Sequence, residues 1–132
     1  DDAVALQQEF PKLPFHYVKG NNDYRVDTPS QKLVRLGGKT LLLTHGHKQR
    51  VYWNYDTISY WAEEQGADVV LFGHTHMPLW EAGGRVALFN PGSISLPRGG
   101  TLPTFGILTM EDGRIEGAIM EYWNKEHFKR IN

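Results

Sequence analysis

The stretch VVLFGHTHMP, residues 69–78, runs four apolar residues, Val69 to Phe72, straight into Gly73 and then into two histidines flanking a threonine. A continuous apolar run of this kind reads as a strand covered on both faces rather than on one. Histidine is costly to bury and useful at a strand exit, so His74 and His76 need a chemical reason to stand there. Just before it, NYDTISYWAEEQG (54–66) puts Ile58, Trp61 and Ala62 on one side of a helix, with Gly66 as its C-terminal cap. Helix followed by buried strand is the unit of an α/β protein.

Working outward, three hairpins are expected. KLVRLGGKTLLLTHGH (32–47) turns at Gly37-Gly38, LWEAGGRVALFN (79–90) at Gly83-Gly84, and TFGILTMEDGRIEGAIMEYW (104–123) at Asp112-Gly113. FHYVKG (15–20) reads as a strand entering a turn-rich loop, NNDYRVDTPS. DDAVALQQEF at the front reads as a short helix capped by Asp1 or Asp2, with Val4, Leu6 and Phe10 as its apolar residues before Pro11. The fold class expected is mixed α/β: two packed sheets flanked by helices, in one domain over residues 1–132. The chain opens on a helix where such chains usually open on a central strand, as if a preceding strand were missing.

Composition narrows the function. Apolar residues make up 40% and charged residues 22% of the 132, an ordinary globular balance with room for a core. A net charge of −1 with no basic run gives no nucleic-acid-binding patch and no attraction to an anionic membrane. The chain has no cysteine, which excludes disulfides, thiolate metal sites and cysteine nucleophiles and suits a cytoplasmic location. No apolar run approaches the roughly 20 residues of a membrane helix.

Four polar clusters each follow an expected strand: VKGNND (18–23), LLLTHGH (41–47), LFGHTH (71–76) and LFNPGS (88–93). Ligands in α/β proteins sit beyond the carboxyl ends of strands, so the four are expected to converge. Imidazole nitrogen with amide and carboxylate oxygen suits Mn, Fe, Zn or Ni, whereas an all-oxygen set would suit Mg or Ca. Each cluster alone has a plainer reading: an H-x-H pair is more often hydrogen-bonded than metal-bound, GNND is a turn, and NPGS is turn chemistry. In series they point to a divalent-metal site.

The ordered series GNND, THGH, GHTH, NPGS resembles the calcineurin-like metallophosphoesterase superfamily, in particular its small bacterial and archaeal phosphodiesterases. The resemblance covers residues 18 to 98 and extends in strand pattern to about 122. It implies a four-layer sandwich of two mixed sheets flanked by helices, and a centre of two divalent metal ions, manganese first among them. Asn21, His45 and His74 would hold one ion and His76 the other. A hydroxide bridging the ions would attack phosphorus in line. Asp23 would orient the site, His47 would support it or face the substrate, and Asn90 and Ser93 would shape the adjacent loop. Arg98, just after NPGSISLP, either binds a phosphate or is a surface arginine. The implied partner is a small phosphodiester substrate. Paired exposed strands and many aromatics also point to a homodimer.

Two departures from the family pattern carry consequences. Many members have histidine after the metal-binding asparagine, where this chain has Asn22. Asparagine can donate a hydrogen bond to a phosphoryl oxygen but cannot deliver a proton. The family's opening strand ending in Asp-x-His, and the later one ending in Gly-Asp, have no counterpart here. Asp1 and Asp2 read as helix caps. The expectation is a family member without its first strand–helix–strand segment, catalytically poor and prone to associate in this form. The alternative is a non-catalytic protein-binding scaffold, a use the same fold has in a retromer subunit. Such a scaffold would be free to lose the histidines that this chain retains. Elsewhere, His16 is expected to be partly buried and His127 solvated. Trp61 is expected in the core, and Trp53, Tyr55 and Trp80 read equally as core or as the lining of a substrate cleft.

Overall fold

Gly37 and Gly38 take φ of 57° and 76°, and Asp112 and Gly113 take 53° and 76°. Paired left-handed residues make the two-residue turn whose twist matches that of antiparallel strands. Both hairpins therefore form as read. β1 (Gln31–Leu36) pairs antiparallel with β2 (Lys39–Thr44). The computed structural model describes residues 2–18, 20 and 29–132. Along it follow α1 (Asp2–Glu9), β1, β2, a 3-10 turn (His47–Gln49), α2 (Asp56–Glu64) and β3 (Val69–Leu71). Then come β4 (Leu79–Glu81), β5 (Ala87–Asn90), β6 (Thr104–Glu111), β7 (Arg114–Asn124) and β8 (His127–Arg130).

The first sheet runs β1-β2-β3-β5-β4 and is mixed, with β2, β3 and β5 parallel to one another. The second, β6-β7-β8, is antiparallel. Val69 and Val70 are fully buried on opposite faces, as the continuous apolar run requires. Val70, Leu42 and Leu88 face α2, where Ile58 and Ala62 meet them. Val69, Leu41 and Phe89 face the second sheet and pack with Ile119, Leu108 and Trp80. The mixed α/β, two-sheet architecture expected from the sequence is the one observed.

Three local readings need correction. Residues 14–18 are not a strand, because among the described residues no neighbouring strand takes up their backbone groups. His16, placed mid-strand and partly buried by that reading, is exposed. Gly83-Gly84 is not a two-residue turn: residues 82–86 connect β4 and β5. β4 and β5 still pair antiparallel as read, but the connection is longer because Val86 is buried on the helix side and the Ala87 N–H is taken by Asp68 O at 3.0 Å. α1 forms as expected, but Leu6 and Phe10 stay about half exposed, so it buries little apolar surface.

Candidate functional site

The loops after β2, β3 and β5 come together because their strands are parallel neighbours. The Gly73 N–H donates to His45 O at 2.9 Å, extending the β2–β3 register past the strand ends. This brings His45 and His74 to 4.9 Å between ring centroids, with His47 at 5.1 and 6.0 Å from them. His45 Nδ1 and His47 Nδ1 lie 3.1 Å apart, so one imidazole supports the other.

The GHTH loop is held from beneath. Asn90, fully buried, donates to Thr75 Oγ1 at 3.0 Å and to Gly73 O at 3.3 Å, and accepts the Gly92 N–H at 2.9 Å. Gly92 is required there: its φ is +81°, and a Cβ would lie 2.0 Å from Thr104 Oγ1. Ser93 Oγ accepts the N–H groups of Ser95 and Leu96, and the Leu96 carbonyl meets His76 Nδ1 at 2.8 Å. A carbonyl only accepts, so Nδ1 of His76 carries the proton and Nε2 keeps its lone pair in the neutral ring. Such hydrogen bonding to the second ring nitrogen is what fixes a metal-binding histidine.

His74 and His76 have φ of 71° and 60°. Non-glycine residues in the left-handed region carry strain of about 1–3 kcal/mol each and concentrate at functional sites. Burial, foremost, and the positive charges of His47, His76 and Arg98 hold the His74 pKa below 6.5. At neutral pH this imidazole is therefore uncharged and able to act as a ligand. Protons compete with metal for imidazole, so Zn²⁺ affinity is expected to fall from about pH 8 to about pH 5. A flat affinity across that range in a Zn²⁺ titration would rule out histidine ligation.

Among the described residues, no three His, Asp or Glu side chains converge closely enough to hold an ion unaided. The implied ligand Asn21, and Asn22 and Asp23 beside it, lie outside the described residues. The donors present still fit a divalent transition ion in kind: His74, uncharged at neutral pH, and His76, whose Nδ1 is turned to the Leu96 carbonyl, next to His45. Arg98 is exposed at the rim, its backbone N–H on His76 O at 2.9 Å.

A model of the calcineurin-like phosphoesterase superfamily domain matches residues 2–113. The chain belongs to that superfamily. It is 39% identical over 108 residues to the probable metallophosphoesterase YsnB of Bacillus subtilis, covering 81% of this chain and 64% of YsnB. It is 37% identical over 99 residues to phosphodiesterase YfcE of Escherichia coli K12, covering 69% of this chain and 50% of YfcE. The chain thus spans between half and two thirds of these relatives. A conserved, uncharacterized Streptococcus pneumoniae protein, a predicted phosphoesterase, superposes with a TM-score of 0.73 at 30% identity, over 86% of this chain and 68% of that one.

Sequence reasoning missed two residues of the candidate site. Thr75, 1% exposed, is the buried acceptor between the histidines, and its place inside GHTH was the available signal. Tyr52 donates its hydroxyl to His74 O at 3.1 Å and sets its ring 4.7 Å from the imidazole; nothing local marks it. Of the aromatics considered for a cleft, Tyr55 and Trp61 pack on the helix-side core and Trp80 lies between the sheets against Phe89. Trp53 is 83% exposed. No helix among the described residues is long and apolar enough to cross a membrane.

Proposed function

We propose that these residues serve a dinuclear-metal phosphodiesterase, with His45, His74 and Asn21 toward one ion and His76 toward the other. The observation that carries this reading is the His76 ring, whose Nδ1 is committed to Leu96 O and whose Nε2 is thereby kept as a ligand. Manganese is the first candidate, with zinc, nickel and iron behind it. Divalent ions bound there supply an activated water at neutral pH and positive charge toward the phosphoryl oxygens. The protein's own part is to orient: His47 supports His45, Asp23 would orient the site, and Asn90 and Ser93 fix GHTH against NPGS. Asn22 offers a hydrogen bond to phosphoryl oxygen without releasing a proton, which restricts efficient turnover to good leaving groups.

The test is Mn²⁺-dependent hydrolysis of bis(p-nitrophenyl) phosphate. It compares residues 1–132 alone with a form extended at its N-terminus by a strand–helix–strand segment bearing Asp-x-His and Gly-Asp. The expected result is strong hydrolysis only by the extended form. Absence of both activity and metal from the extended form would favour the binding-platform alternative. In the active form, Asn22→His is expected to raise rates on alkyl diesters by about 10²-fold, the range of a positioned acid, and to leave the aryl substrate little changed. Equal effects on both would remove Asn22 as the reason for leaving-group preference.

A further inference from the structure

The rim of the histidine cluster holds a cation with an unusual set of partners. Arg98 Nη1 donates to the Tyr52 hydroxyl, and that hydroxyl donates to His74 O at 3.1 Å. Arg98 also donates its backbone N–H to His76 O at 2.9 Å. The two residues together occupy the carbonyls of both histidines in GHTH. The ion pairs among the described residues are Arg85 with Glu63 and Arg130 with Glu116, so Arg98 has no carboxylate partner there. A guanidinium anchored by a neutral hydroxyl keeps its full charge and most of its five N–H donors.

We propose that Arg98 is the group that binds the substrate's non-bridging phosphoryl oxygens and that Tyr52 is the residue that positions it. The inference rests on the phosphoesterase reading above and names the recognition chemistry of the same site. A planar guanidinium matches two phosphoryl oxygens at once, which a surface lysine cannot do. The Tyr52 ring that holds this fork lies 4.7 Å from the His74 imidazole, so the guanidinium stands at the edge of the histidine cluster.

Tyr52 cannot be the missing proton donor. A guanidinium only donates, so the hydroxyl accepts from Arg98; a carbonyl only accepts, so the hydroxyl's one proton goes to His74 O. Its part is to hold Arg98 in place and to couple the residue to the backbone of the His74 loop.

The experiment titrates inorganic phosphate into ¹⁵N-labelled protein, metal-free and Zn²⁺-loaded, following the Arg98 side-chain Nε–Hε resonance and the phosphate affinity. The resonance is expected to shift to saturation. Arg98→Lys is expected to weaken binding about tenfold, the scale of a lost charge-assisted bidentate contact. Tyr52→Phe is expected to weaken it about threefold, with no further loss in the Arg98→Lys background, since the two act through one contact. In the extended active form, both variants should raise KM for the diester. Tyr52 is 51% exposed and Arg98 is exposed, so unchanged melting is the control for folding. An unmoved Arg98 resonance, or full phosphate affinity in Arg98→Lys, overturns the proposal. Additive losses overturn the positioning part. Phosphate binding that depends on Arg98 in a protein without hydrolysis would sink the hydrolase reading and leave this recognition site standing.

Discussion

Phe89→Ala is expected to lower the free energy of unfolding by about 3–5 kcal/mol, the range for removing a buried aromatic ring. Phe89 is 2% exposed and sits where the two sheets meet, its ring edge-on to Trp80 at 5.4 Å between centroids. Gly106 of β6 lies directly against it: a Cβ there would come within 2.6 Å of Phe89 Cζ. Gly106→Ala alone should therefore be destabilising through forced overpacking. In the Phe89→Ala background the same methyl enters vacated space, so the two losses should not add. Urea denaturation of both single variants and the double variant checks this. Strict additivity would mean that the ring and the glycine do not share one contact.

Asn90→Leu is the second large effect, with an expected cost of about 2–4 kcal/mol. The branched shape is kept at a somewhat larger volume, but the Gly92 N–H, the Gly73 carbonyl and the Thr75 hydroxyl lose their common partner, a side chain that is fully buried. The consequence for the site is larger than for the fold, because Asn90 ties the loop carrying His74 and His76 to the loop after β5. Zn²⁺ binding by folded Asn90→Leu protein should fall by more than tenfold, the scale for a lost supporting hydrogen bond at a metal ligand. A variant that melts early yet binds Zn²⁺ as tightly as the parent would show that the loop holds its shape without this amide.

The sequence made β3 and β2 legible because strands buried on both faces need unbroken apolar runs, and LLL and VVLF are such runs. Gly37-Gly38 and Asp112-Gly113 were legible because a turn's dihedral demand is local. Pairing is not local. FHYVKG has strand composition, yet residues 15–18 find no ladder among the described residues, and the Gly83-Gly84 connection is longer than a tight turn because β5 pairs with β3 as well as with β4. The site followed the same division. His45, His74 and Asn90 converge as their strand-exit positions implied, since parallel strands deliver their loops to one edge. Asn21, Asn22 and Asp23 lie outside the described residues. Tyr52 could not be found from its neighbours in the chain, because its meaning comes from Arg98, 46 residues away.

The backbone of GHTH works against its own side chains. His74 and His76 both sit at positive φ, where glycine would rest without penalty. Replacing either by glycine should relieve strain by about 1 kcal/mol or more while removing an imidazole. Drift without selection for the chemistry would thus find sturdier proteins at these two positions, and a chain that still has both histidines is carrying a cost that folding alone would discard.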